Sequence, residues 1–437
     1  MELFEKDIFE GKLSKYETNH FHMVIDGNFE LPIDSMKNDD YGTFIHEYIH
    51  YLQHITTLFG VKICAMYNKM FVLYMNYFKK NQTIYLPLKL WEKDEGLANF
   101  IQYFKDVRGD KNCDLNINEV EVDIREIKKA KDTRTAVNIG VYDFENDKVE
   151  ECGFKFGYSC IVESMAHLVQ SFINDDTNHA NIPYRSVELI CENQYKEISK
   201  DKKKMISICL CSLMFNNPGA SFFEVIEVSK KHRDLNGFEL FKKIMRDCSV
   251  KYKEKEMPMY RALHNFLDDL KVSTEAAIGT KLDYYAEVID HCKKEASSGE
   301  CVLLDILYNG DITDKKYFSE VLSKVYGYPF IEANNTSIMP QKIDHEANTA
   351  YVETAALLGL EMIIKRIKSE ESTLCSWFKI CKIGMYDPSI DCVVSPECEN
   401  NQWDKKEQCL MTESMDFLKL DRKPLFKNKA LSTILCK

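Results

Sequence analysis

The sequence predicts an α+β chain that is predominantly helical, with a small antiparallel sheet in its first half and a helical C-terminal half. Three observations predict it. Long stretches carry apolar residues three and four apart, as at Phe44, Ile45, Tyr48, Ile49, Leu52 and Ile55, the period of a helix with a buried face. One region, residues 119–156, changes to alternation, as at Val120, Val122 and Ile124. Breakers such as Pro218-Gly219 fall between the helical runs rather than inside them.

The elements follow in order. Residues 1–38 hold strand-like runs, among them 21–25, and alternation puts His20 and His22 on one strand face. A helix is expected over 39–60, opened by Asp39 and Asp40 and closed by Gly60. Helices at 62–78 and 88–104 come next. Strands are expected at 120–124, 136–142 and 149–156, with a turn at Glu145, Asn146 and Asp147. A helix over 157–170 carries Ile161, Met165 and Leu168 on adjoining turns, and the chain after it reads as almost wholly helical. Residues 205–215 read as a buried helix, 216–219 as a break, 232–237 and 334–340 as loops and 387–404 as irregular. No fixed-period repeat is present. Two domains are expected, 1–235 with the strands of 119–156 inserted, and 236–437, which is helical.

Composition narrows the function classes. At 437 residues, 45% hydrophobic and 29% charged, the chain can bury an ample core. A net charge of −12 argues against nucleic acid as a partner, because neutralising phosphates takes basic surface. The N-terminus lacks a basic segment followed by an apolar run, so no signal peptide is expected. The apolar stretch 205–215 is too short for a bilayer, and a cytoplasmic protein with no membrane span is the expectation. The 16 cysteines are scattered, which suits reduced thiols; Cys375, Cys381, Cys392, Cys398 and Cys409 lack the paired spacing of structural zinc sites.

The chemistry concentrates at His46-Glu47-Tyr48-Ile49-His50, an H-E-x-x-H pattern inside the first long helix. Residues four apart share a helix face, so two imidazoles can grip one metal ion from a rigid element. Zinc favours imidazole in a tetrahedral site with one position left for water. Glu47 is placed to take that water's proton as general base. A third ligand must come from elsewhere. Glu163, in the second buried helix, is the best candidate; His167, the pair Glu287 and His291 with Asp290, and the group His345, Glu346 and Glu353 are rivals. His54, one turn beyond His50, and His167 are candidates for residues that hydrogen-bond the ligands from behind.

Gly157, Glu163 and Ala166, read with the H-E-x-x-H segment, resemble the gluzincin, thermolysin-like zinc metallopeptidases. The resemblance covers segments 39–60 and 157–170 and implies a zincin-like catalytic core in residues 1–235. It also implies that Glu163 completes the zinc site, and that an extended substrate adds to an edge strand. The sequence departs from that family in three ways. Between His50 and Glu163 lie 112 residues, implying an inserted subdomain. His167 stands where an acid would orient the first zinc histidine, and no tyrosine or histidine is marked out to stabilise the oxyanion; Tyr184, His179 and His232 are candidates. The third histidine of a metzincin would be residue 56, which is Thr56. The expected function is zinc-dependent cleavage of a protein substrate by a regulated intracellular endopeptidase with a restricted target, and a regulatory protein partner would suit the helical half. The other function class is a non-catalytic helical interaction module with a structural or decayed metal site.

Overall fold

The computed structural model describes residues 15–17, 21–81, 83–86, 88–110, 119–129, 132–142, 152–175 and 179–338, with scattered positions from 340 to 428. These form a mostly helical chain with small sheets, an α+β arrangement. Strands β1 (Lys15–Glu17) and β2 (His22–Val24) precede the central helix α1 (Asn38–Thr56). Asp39 and Asp40 sit in its first turn, where negative charge complements the exposed N–H groups. Apart from Thr43 and Thr56, every residue of α1 from Tyr41 on is buried. Such a helix needs a partner for each polar group it carries.

The helix does not run on to Gly60 as expected. Thr57 adopts an extended backbone and its side chain accepts a hydrogen bond from Gly60 N, capping a new helix, α2 (Leu58–Lys80). Gly60 lies in the first turn of α2, pressed on α1: a Cβ there would overlap the Gln53 carbonyl oxygen. By length and composition α2 could cross a bilayer, and 67% of its most apolar window is buried inside the fold. Among the described residues this is the one helix long and apolar enough for that, rather than residues 205–215.

Strand β3 (Thr83–Leu86) follows, and the helix expected over 88–104 divides. Residues 90–93 form a single 3-10 turn, and α3 (Glu95–Val107) begins where the Asp94 side chain accepts from Leu97 N. The alternating region is a three-stranded antiparallel sheet of β4 (Glu119–Lys129), β5 (Asp132–Tyr142) and β6 (Cys152–Phe156), with Ile139 opposite both Val122 and Phe154. The turn expected at 145–147 lies outside the described residues.

Helix α4 (Tyr158–Gln170) starts at Gly157, against which the chain at Val107–Gly109 passes so closely that a Cβ would overlap the Val107 carbonyl oxygen. All thirteen residues of α4 are buried, and the helix packs along α1. Helices α5 (Ser186–Gln194), α6 (Lys196–Ser199), α7 (Lys202–Ser212), α8 (Pro218–Lys231) and α9 (Gly237–Asp247) continue, with Asn217 and Asn236 as side-chain N-caps at the two expected breaks.

The later chain is less uniformly helical than its pattern suggests. A hairpin of β7 (Ser249–Tyr252) and β8 (Lys255–Pro258) turns through Lys253 and Glu254, both with positive φ. Helices α10 (Met259–Ile278), α11 (Asp283–Ser298), α12 (Val302–Asn309) and α13 (Lys315–Val325) lead to β9 (Phe330–Glu332) and β10 (Ser337–Ile338). Strand β9 pairs in parallel with β2, giving a sheet in the order β1-β2-β9-β10. Phenols on α1 reach this later chain: Tyr41 donates to Ile312 O, Tyr48 to Gly327 O and Tyr51 to Tyr326 O.

Candidate metal centre

Helices α1 and α4 bring three ligand-type side chains together from two segments far apart in sequence. His46 Nε2 and His50 Nε2 each lie 3.3 Å from the same oxygen, Glu163 Oε2. Zinc bonds of about 2.1 Å at tetrahedral angles set neighbouring ligand atoms about 3.4 Å apart, close to the separation of each histidine nitrogen from the Glu163 oxygen. Among the described residues this is the one group of three that could hold a metal ion.

The other ring nitrogens decide what the gap can contain. Gln53 donates its amide N–H to Val162 O at 3.0 Å, which leaves Gln53 Oε1 as an acceptor for His50 Nδ1–H at 2.9 Å. His46 Nδ1 faces Gln170 Oε1 at 3.0 Å and donates in the same way. With Nδ1–H committed on both rings, each Nε2 presents the carboxylate with either a second proton or a lone pair. Lone pairs facing a carboxylate repel it, so without a metal a proton must sit between ring and carboxylate. A divalent cation can take that place, and the donor set fits one.

Without a cation these groups stabilise one another's charged forms. Burial works to lower the His50 pKa, but the charge and hydrogen bond of Glu163, with Glu47 and Gln53, overcome it and raise the value to about 9. Burial likewise works to raise Glu163, yet His50 and His46 hold that carboxyl well below its usual range. Glu47 is pushed upward by burial, only partly offset by the two histidines. Its Oε2 is a buried atom without a hydrogen-bond partner.

The remaining candidates divide. His54 is buried behind His50, donating from Nδ1 to the His50 carbonyl at 2.7 Å, while its Nε2 faces the Tyr158 hydroxyl at 3.3 Å; burial lowers its pKa to about 3. His167 lies near enough to His46 to feel its charge, but its hydrogen-bond partner is His179. Its Nδ1 lies 3.0 Å from His179 Nδ1, and the acceptor for His46 is Gln170, two turns beyond Glu163 rather than one. Burial, then His179 and His46, takes His167 down to about 3, and burial with His46 takes His179 to about 4.

Ser164 donates to Pro183 O and so pins the following loop on α4. That loop lays His179 and Tyr184 beside His46, with ring centroids 5.4 and 5.8 Å away and 4.5 Å from each other. Glu163, then burial and Glu47, keep the Tyr184 phenol protonated well beyond its usual range. His232 is not part of this group; it closes α8.

The rival ligands have other partners. Glu287 and His291 pair with each other at 3.9 Å on a partly exposed face of α11, and Asp290 pairs with Lys271 and Lys293. Glu353 accepts from the N–H groups of Tyr284 and Tyr285 and so caps α11. His345, Glu346, His20 and Cys392 lie outside the described residues. Gln53 and Gln170 were not among the residues the sequence marked out, although each stands at helical spacing from a ligand, three after His50 and seven after Glu163. Comparison with protein-family models, with curated proteins and with solved structures finds no match for this chain.

Proposed function

We propose that the chain is a zinc-dependent endopeptidase of gluzincin type, with His46, His50 and Glu163 as ligands and Glu47 as general base. The observation that carries this reading is the donor set itself: two histidines with Nδ1–H committed, Nε2 aimed at one carboxylate oxygen, and a fourth side chain, Glu47, buried with an oxygen unpartnered beside them. When bound, zinc would polarise a peptide carbonyl and bring a bound water's pKa towards neutrality.

The protein's own groups would do the rest. Glu47 would take the proton at Oε2, and its burial strengthens it as a base by raising its pKa. Tyr184, held protonated, would donate to the oxyanion, with His179 stacked against it. A protein substrate, a cytoplasmic setting and a regulatory partner belong to the same proposal.

The test compares wild type with Glu47→Gln in a cell lysate, reading new protein termini by mass spectrometry. Fragments made by wild type and absent with the variant are expected. Identical fragment sets would overturn the role of Glu47 and favour a non-catalytic interaction module.

A further inference from the structure

We infer that Gln53 and Gln170 are positioning residues that prebuild the metal site and keep its buried charge balanced; this rests on the metal reading above. The two glutamines brace the same pair of helices in opposite directions. Gln53, on α1, donates across to Val162 O, the residue before Glu163, and accepts from His50 Nδ1. Gln170, on α4, accepts from His46 Nδ1 on α1. Each brace therefore ties a histidine of one helix to the helix that carries the glutamate. Gln53 is 1% exposed and Gln170 4%, so water does not compete freely for these bonds.

Charge explains why both are amides. Glu47 and Glu163 together carry two negative charges, which a divalent cation neutralises. A carboxylate behind each histidine would add two more in a site whose members are all buried. An amide oxygen supplies the acceptor that fixes each ring without that charge, at the expense of the ligand basicity a carboxylate would lend.

The two are not interchangeable. Gln53 uses both ends of its amide, so Gln53→Glu sets a carboxylate against the Val162 carbonyl and loses the brace. Gln170 uses its oxygen towards His46, so Gln170→Glu keeps the acceptor and makes it stronger.

Zinc affinity, measured by competition with a chromophoric chelator, and the visible spectrum of the cobalt-substituted protein test this. Gln170→Ala, Gln53→Ala and Gln53→Glu are expected to weaken zinc by about 10–100-fold and to alter the cobalt bands. Gln170→Glu is expected to bind zinc about as tightly as wild type, the stronger acceptor being set against the added buried charge, and as a near-isosteric change it keeps the test open should an alanine variant not fold. Variants with lower melting temperatures but wild-type zinc affinity would reduce the glutamines to packing and overturn the inference. So would a Gln170→Glu protein that binds zinc as weakly as Gln170→Ala, or a Gln53→Glu protein that binds it like wild type. Zinc bound by wild type and lost in His46→Ala, with the glutamine variants unchanged, would sink this inference alone; a wild type that takes up no zinc would sink the metal reading with it.

Discussion

Removing the imidazole of His22 should cost stability in a way that depends on pH. The ring is 4% exposed and bridges two carboxylates, with Nδ1 3.1 Å from Glu361 Oε2 and Nε2 3.5 Å from Glu332 Oε2. Burial works to lower its pKa, but Glu361 and then Glu332 overcome this and lift it from 6.5 to about 9. A rise of that size corresponds to about 3 kcal/mol. Because the folded pKa lies above the unfolded one, this stability is fully present below pH 6.5 and is lost as pH climbs through 9. His22→Gln should therefore be less stable than wild type by about 3 kcal/mol at pH 6, and the gap should close towards pH 9 and above. Urea unfolding of both proteins at unit steps from pH 6 to 10 reads it out. Other groups that titrate in this range, such as Lys62, lowered to about 8 by burial, and His50, are common to both proteins and cancel in the difference. A gap that stays constant with pH, or widens as pH rises, would refute the charge argument and leave only packing against Phe330.

Three further outcomes are expected. His46→Ala should leave the protein folded but without bound zinc, read by elemental analysis after dialysis; zinc retained at the wild-type level would refute the ligand assignment. Tyr184→Phe should lower kcat by about 10²–10³-fold with little change in KM if its hydroxyl meets the oxyanion, and a change confined to KM would assign it to binding instead. Gly157→Ala should destabilise by about 1–3 kcal/mol, because the new Cβ would overlap the Val107 carbonyl oxygen and backbone there cannot swing aside as a side chain can. An unchanged urea midpoint would show that the chain at 107–109 yields.

What the sequence revealed was what local spacing controls. His46 and His50 share a helix face whatever surrounds them, and Glu163 lies in a segment whose apolar spacing marks a buried helix. Spacing failed where a contact between elements decided the outcome. Spacing and Gly60 close the first helix at residue 60, yet it ends at Thr56, where Thr57 turns extended and caps the next helix, with Gly60 pressed against the Gln53 carbonyl. Residues 249–258 are too polar to read as strands, and their hairpin rests on the positive φ of Lys253 and Glu254. Glutamine is the least informative case: Gln53 and Gln170 differ in pattern from no surface glutamine, and only the packing of α1 on α4 turns them into hydrogen-bond acceptors for the ligands.

The same packing explains why the site can be stiff without a bound ion. A helix that presents two histidines to a glutamate must be fixed in rotation as well as position, since one residue of twist moves a side chain about 100° around the axis. Helix α1 is held on its histidine face by the two glutamine braces, and elsewhere around its axis by Tyr41, Tyr48 and Tyr51, whose hydroxyls reach carbonyls of residues 312, 327 and 326. Each of these phenols is at most 1% exposed, so letting go of a carbonyl leaves an unsatisfied buried oxygen, at about 1–3 kcal/mol each. Twisting α1 would break several such bonds at once. The chain around residues 312–327 therefore contributes to the site by locking the rotation of the helix that carries His46 and His50, although it supplies none of the three ligands.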